Sequence, residues 1–146
     1  MDEHIFKRQS KTLLLYHLVF PVKYRRKVIN GSMSELIKET CLEIEGCYEI
    51  YFVEIGTDED HIHFLVQSVP TMTVAQIIRT IKSITAREIF HKFPEVKKEL
   101  WGGSFWTSGY YANTVGHYGN AEVIKRYVEN QGKQYSQLYT QQLHLW

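Results

Sequence analysis

Two histidines placed two residues apart are the clearest chemical signal in the chain. His61 and His63 lie in the segment DHIHFLVQ (60–67), whose alternation and composition predict a strand. Alternate residues of a strand point to the same face, so both imidazoles project together while Ile62 points the other way. Imidazole suits divalent transition metals, and the three acidic residues directly before His61 add negative charge or an acceptor for an imidazole N–H. The pair predicts either part of a metal site or two structural histidines at a strand edge.

A tyrosine and a glutamine form the second candidate. Tyr127 and Gln131 are four residues apart in a predicted helix over 121–131, so they are neighbours on one helix face. A tyrosine hydroxyl is a weak nucleophile at its ordinary pKa of about 10, but it can attack a phosphodiester that a metal ion polarises. A glutamine carbonyl can serve as an oxygen ligand for Mg²⁺ or Mn²⁺. The alternative is a tyrosine at the edge of the core beside a surface glutamine.

Basic and aromatic side chains offer a third kind of site. Two basic groups could contact the phosphates of a nucleic acid: Lys23, Arg25, Arg26 and Lys27 around a tyrosine, and Arg79, Lys82 and Arg87 on one side of a helix. Four aromatic residues could stack on unpaired bases: Phe105, Trp106, Tyr110 and Tyr111. The simpler interpretations are solvated surface for the basic groups and sheet core for the aromatic ones.

The charges are unevenly distributed, although the chain of 146 residues has a net charge of only +1. Residues 1–27 contain seven basic and two acidic residues, 28–69 contain one and nine, and 70–146 contain nine and five. Such segregation can give a folded domain a basic face in spite of a near-neutral total. There is no apolar run of about 18 residues, and the two cysteines form no pairing motif. These features predict a single cytoplasmic domain with reduced thiols and no membrane partner.

Apolar periodicity, caps and breakers predict seven elements. The first half has a strand over 12–20, a helix over 35–45 capped by Ser32 or Ser34 and ended by Gly46, and two strands over 48–56 and 60–67 that form an antiparallel hairpin. The second half has a helix that Thr73 caps and that ends before Pro94, a β-like stretch over 104–115, and the helix over 121–131. The order βαββαβα predicts an α+β, ferredoxin-like antiparallel sheet with helices packed mainly on one face. That fold hosts nucleases, nucleic-acid binders and small-molecule binders, so it does not decide the function.

Four segments occur in the order and spacing of a known family. They are HLVFPVKYRRKVI (17–29), DHIHFLV (60–66), GGSFWTSGYYANTVG (102–116) and VIKRYVENQG (123–132). Together they resemble the small single-tyrosine transposases of bacterial and archaeal insertion sequences, the TnpA-type members of the HUH endonuclease superfamily. The resemblance covers about residues 11–132 of the single domain predicted for 1–146, and the tail over 133–146 matches none of the motifs.

The resemblance implies both an activity and a site. The implied protein is a homodimer with composite active sites that cleaves single-stranded DNA at hairpins near element ends and rejoins strands without ATP. By resemblance, Tyr127 matches the nucleophile that forms a 5′-phosphotyrosine, His61 and His63 match the metal-binding histidines, and Gln131 matches the ligand contributed by the helix. The implied cofactor is Mg²⁺ or Mn²⁺.

Three alternatives remain compatible with the same residues. A domesticated relative that acts on repeated genomic palindromes would share every motif. A ferredoxin-like nucleic-acid-binding module would bind without cutting. A metal-dependent phosphodiesterase that uses water would cut and leave no bond between protein and DNA.

Overall fold

The computed structural model describes residues 14–100 and 103–117. Its elements are β1 (Leu14–Pro21), a 3-10 turn (Lys23–Arg25), α1 (Gly31–Cys47), β2 (Ile50–Thr57), β3 (His61–Ser68), α2 (Val74–Lys92), α3 (Pro94–Glu99) and β4 (Tyr111–His117). The predicted helix over 121–131, with Tyr127 and Gln131, and the tail over 133–146 lie outside the described residues. Among the described helices, none combines the length and the apolar character that crossing a bilayer requires.

The four strands form one sheet in the order β2-β3-β1-β4, and every neighbouring pair is antiparallel. The predicted ferredoxin-like sheet is thereby confirmed. Helices α1 and α2 cover one face, where the apolar residues of β1 and β3 meet those of the helices. The large, fully buried side chains of this layer include Phe20, Met33, Ile37, Ile44, Ile62, Phe64 and Ile77.

The start of α1 differs from the prediction. Asn30 is the N-cap, and its side-chain oxygen accepts a hydrogen bond from the Met33 amide at 3.0 Å. The prediction that Ser32 or Ser34 caps this helix was therefore wrong, and so was the prediction that Gly46 ends it. Asparagine before glycine favours a turn, but the same side chain also satisfies the open N–H groups of a helix. The predicted Thr73 cap of α2 is confirmed.

The aromatic stretch after α3 is only partly β-structure. A strand was predicted over 104–115, but β4 begins at Tyr111. The preceding segment crosses beneath the end of β1, where Val22 and Trp106 form an isolated bridge. Phe105 and Trp106 are 0% and 4% exposed and belong to the core, as the simpler interpretation of these aromatics holds, so they are not available for base stacking.

One hydroxyl anchors that segment to α2. Thr85 Oγ1 accepts a hydrogen bond from the buried Trp106 indole nitrogen at 3.0 Å and donates to the Ile81 carbonyl at 2.6 Å. Replacing the hydroxyl by a methyl group would leave the indole N–H buried without its acceptor. The cost of such a group is about 1–3 kcal/mol.

We therefore expect Thr85→Val to lower the free energy of unfolding by about 1–3 kcal/mol in urea titrations. Thr40→Val is the matched control, because the buried Thr40 hydroxyl only donates to the Leu36 carbonyl of its own helix. That variant should lose less stability than Thr85→Val, because it removes a donor and leaves no buried N–H without its acceptor. Equal stability of the two variants would contradict this role of Thr85.

Candidate active site

The strand register places the two predicted histidines on the sheet face opposite α1 and α2. Ile62 and Phe64 of β3 lie in the helix-covered core, so His61 and His63 point to the other face. His61 pairs with Pro21 and His63 with Val19 of β1. His61 is 4% exposed and His63 is half-buried. The prediction that both imidazoles share one face is confirmed.

The Asp60 carboxylate contacts both His61 and Arg25 of the 3-10 turn. Its Oδ1 lies 2.9 Å from His61 Nδ1, and its Oδ2 accepts a hydrogen bond from Arg25 Nη2 at 2.8 Å. Burial raises the pKa of Asp60, but the hydrogen bonds from His61 and Arg25 and the Arg25 charge outweigh burial and hold it below its usual value. An ionised carboxylate only accepts, so Nδ1 of His61 is the donor of this hydrogen bond. This is the arrangement in which a carboxylate orients a metal-ligating histidine.

The His63 ring lies directly over Gly56 of β2. The two residues pair across the sheet, and a Cβ built on Gly56 would overlap the imidazole, at 2.5 Å from Cδ2 and 2.7 Å from Cε1. The φ angle of Gly56 is not in the left-handed region. Glycine is therefore required here by the close approach of the ring and not by the backbone conformation.

His17 is a third histidine on the same face, and the sequence did not identify it. It is 1% exposed on β1, and its ring centroid lies 6.0 Å from that of His63 in an edge-on arrangement. Burial lowers the pKa of His17 to about 4. Burial, with smaller contributions from the charges of His17 and His61, also lowers the pKa of His63 to about 4. Both rings are therefore neutral at pH 7, which is the form in which imidazole binds metals.

Glu54 is a second residue that the sequence did not single out. It pairs with Leu65 of β3, two residues from His63, and therefore lies on the histidine face. Its Oε2 is buried without a hydrogen-bond partner, and burial raises the pKa of the carboxyl group. A glutamate within an otherwise apolar strand was the available signal, but only the register shows which face it joins.

These donors fit a divalent cation, but the described residues do not complete a site. Within 14–100 and 103–117, no three His, Cys, Asp or Glu side chains converge closely enough to hold a metal. His61 and His63 supply two imidazole rings, and the buried Glu54 Oε2 adds an oxygen donor on the same face. Further ligands would have to come from outside the described residues, where the predicted ligand Gln131 lies.

The predicted phosphate contacts separate into three groups. Lys23, Arg79 and Lys82 line a common cleft, whereas the guanidinium of Arg25 bonds Asp60. The other predicted contacts are exposed and lie outside the cleft: Arg26, Lys27 and Arg87. Lys82 is half-buried, and its Nζ donates to the carbonyls of Thr107 at 2.9 Å and Gly109 at 3.1 Å. Burial lowers the pKa of Lys82.

The sequence and the fold are similar to those of known transposases. The ISDra2 transposase TnpA of Deinococcus radiodurans is 30% identical over 118 residues, which are 81% of this chain and 84% of the relative. The transposase of IS200 from Salmonella typhimurium is 28% identical over 116 residues, 80% of this chain and 75% of the relative. A crystal structure of a D. radiodurans protein described as a transposase superposes with a TM-score of 0.66 at 28% identity, covering 82% of this chain and 91% of that one.

A more distant structure has the same fold. A REP-associated tyrosine transposase bound to a REP hairpin superposes with a TM-score of 0.55 at 10% identity, over 83% of this chain and 68% of that one.

The fold of this chain is thus shared with a described transposase structure to which it is 28% identical. The family model described as "Transposase IS200 like" matches residues 10–131, and the chain belongs to this family. The resemblance drawn from the four motifs is confirmed.

We expect Gly56→Ala to displace the His63 ring, because the added Cβ would overlap it. The expected result is a shifted His63 imidazole resonance in NMR spectra. Gly46→Ala is the control, because a Cβ there meets nothing within 4 Å. An unchanged His63 resonance in Gly56→Ala would contradict the packing argument.

Proposed function

We propose that this protein cuts single-stranded DNA at hairpins near the ends of an insertion sequence and rejoins the strands. The observation that carries the proposal is the pair of histidines on one face of the sheet, one of them oriented by the Asp60 carboxylate. Family membership supports DNA cleavage and strand transfer as the reaction class.

Each functional residue has a separate task in this proposal. The Tyr127 hydroxyl gives its proton to solvent while its oxygen attacks the scissile phosphorus. The bond from phosphorus to the leaving 3′-oxygen breaks, and that oxygen takes up a proton from solvent. The products are a 5′-phosphotyrosine ester and a free 3′-hydroxyl. Because the phosphotyrosine linkage is itself a phosphodiester, a second 3′-hydroxyl can attack its phosphorus, displace the Tyr127 oxygen and join new ends. No ATP is needed for this exchange.

The histidine face positions the phosphate for that attack. His61 through Nε2, His63 and the Gln131 carbonyl would hold Mg²⁺ or Mn²⁺. A bound divalent ion supplies charge stabilisation for the phosphoryl oxygens in the transition state. Asp60 fixes the tautomer and orientation of His61, and Arg25 holds Asp60 in place.

The test of the function is a denaturing gel that detects a covalent adduct with single-stranded DNA from the element's own ends. We expect the wild type to form the adduct in Mg²⁺ and Tyr127→Phe to form none while still binding the hairpin, because only the hydroxyl is lost. Adduct formation by Tyr127→Phe would show that another residue is the nucleophile. Nicking without an adduct would indicate a phosphodiesterase that uses water, and binding without nicking would indicate a binding module.

We further propose a homodimer in which the histidines of one subunit work with the tyrosine of the other. One Tyr127 cannot hold two cut ends at once, and closed two-fold dimers are the commonest symmetric assembly. A dimer would supply the second nucleophile from the same chain.

Mixed dimers test this arrangement. Tyr127→Phe and His61→Ala homodimers should both be inactive, whereas heterodimers of the two should recover one working site and cleave at a substantial fraction of the wild-type rate. Differently tagged subunits allow the heterodimers to be purified before the assay. Inactive heterodimers, or normal cleavage by a monomer in sedimentation experiments, would contradict the composite site.

A further inference from the structure

The cleft that contains Lys23, Arg79 and Lys82 is lined by none of the residues of the histidine site and is not used by the chemistry above. It has a volume of about 630 Å³ and is bounded by the 3-10 turn, α2 and the segment 103–108. Pockets that bury one small organic ligand measure about 300–1,000 Å³. Of the described residues that line it, none is acidic. We call it the basic cleft.

Tyr24 stands at the rim of the basic cleft in a strained conformation. Its φ of 59° and the φ of 55° at Arg25 both lie in the left-handed region, which is unfavourable for a residue with a side chain. The Tyr24 side chain is 61% exposed, and Lys23 Nζ lies 5.2 Å from its ring centroid. The turn thus holds a large aromatic ring in solvent beside a cation. Residues held in such unfavourable backbone conformations are frequent at ligand-binding and active sites.

The floor of the basic cleft is rigid. Phe105 and Trp106 lie beneath it with ring centroids 4.6 Å apart, and the indole is fixed by Thr85. Lys23 donates its backbone N–H to the Phe105 carbonyl at 2.8 Å, and Lys82 holds the Thr107 carbonyl. The turn, α2 and the 103–108 segment are therefore tied together, so the basic cleft is already formed without a ligand.

Two cations and several hydroxyl groups remain available in the basic cleft. Lys23 and the exposed Arg79 form no ion pair with a described residue, in contrast to Lys82, which is bonded to carbonyls. Exposed hydroxyl groups come from Ser83, Ser104 and Ser108. An aromatic face, two phosphate-binding cations and neutral polar groups are the components that bind an unpaired nucleotide.

We propose that the basic cleft binds one unpaired nucleotide of the DNA strand, with its base stacked on Tyr24 and its phosphates held by Lys23 and Arg79. The inference rests on the proposed function, because it assumes a single-stranded DNA substrate. Tyr24 precedes Arg25, whose guanidinium bonds Asp60 next to His61. The nucleotide therefore belongs to the strand that enters the histidine site, and the basic cleft selects DNA with an unpaired base beside the cleavage point.

The test measures binding without cleavage, so the full chain carries Tyr127→Phe. Fluorescence anisotropy compares labelled dT12 with an abasic strand of the same length, which has the phosphates and no bases. We expect dT12 to bind about 5- to 100-fold more tightly, as the stacking of a base on an aromatic side chain gives. Equal affinity for the two strands would overturn the proposal, and this comparison needs no change in the cleft.

Variants then locate the preference. Tyr24→Ala should abolish the preference for dT12 and Tyr24→Phe should keep it, since the phenyl ring retains the stacking face. Tyr48→Ala, at a tyrosine that is 43% exposed after α1, is the matched control and should change nothing. A preference that survives Tyr24→Ala in a folded variant would also overturn the proposal.

The salt dependence of binding tests the proposed phosphate contacts of Lys23 and Arg79. Lys23→Ala and Arg79→Ala should each reduce the slope of log K against log salt by about 0.7, the value for one phosphate contact on a single strand. Lys38→Ala, on the exposed acidic side of α1, should leave the slope unchanged. If the wild type forms no adduct but the preference for dT12 is present, only the proposed function is contradicted. If the adduct forms but the preference for dT12 is absent, only the nucleotide site in the basic cleft is contradicted.

Discussion

The register between β1 and β3 is the constraint on which the rest of the molecule depends. Val19 pairs with His63, and Phe20 pairs with Ile62. Because side chains alternate along a strand, a shift by one residue would turn His63 into the helix-covered core and Phe64 out of it. The aromatic contact between Phe20 and Phe64, with centroids 5.3 Å apart, is lost in any such shift. The packing of the core thus selects the face on which the histidines appear.

The acidic and basic segments of the sequence lie on different parts of the folded domain. The acidic residues of α1 are exposed at Glu35, Glu39 and Glu43, away from the basic cleft. Asp60 is the exception, since it lies between the basic turn and His61. Its carboxylate pairs with Arg25 and bonds the imidazole, so one side chain joins the 3-10 turn to the histidine pair. Arg25 thereby acts within the fold, which a count of basic residues cannot reveal.

Much of the architecture was predictable because it depends on local patterns. Alternation along 60–67 predicts the shared face of the two histidines, and Thr73 followed by Gln76 predicts the start of α2. The missed features depend on contacts between residues distant in the chain. His17 meets His63 only through the sheet register, and Lys82 reaches carbonyls 25 and 27 residues away. The left-handed backbone at Tyr24 has no local signal, because neither glycine nor asparagine marks it.

At Arg25, the backbone conformation favours glycine, whereas the contact with Asp60 requires the arginine side chain. A search for stabilising substitutions would select the 3-10 turn first, because glycine adopts a left-handed φ at no steric cost. The same change at position 25 removes the guanidinium that holds Asp60. A variant with glycine at position 25 would melt at a higher temperature, but its Asp60 would hold His61 less firmly. Thermal stability is therefore an unsuitable criterion for choosing variants of this turn, and any directed-evolution scheme for the protein should select on strand cleavage itself.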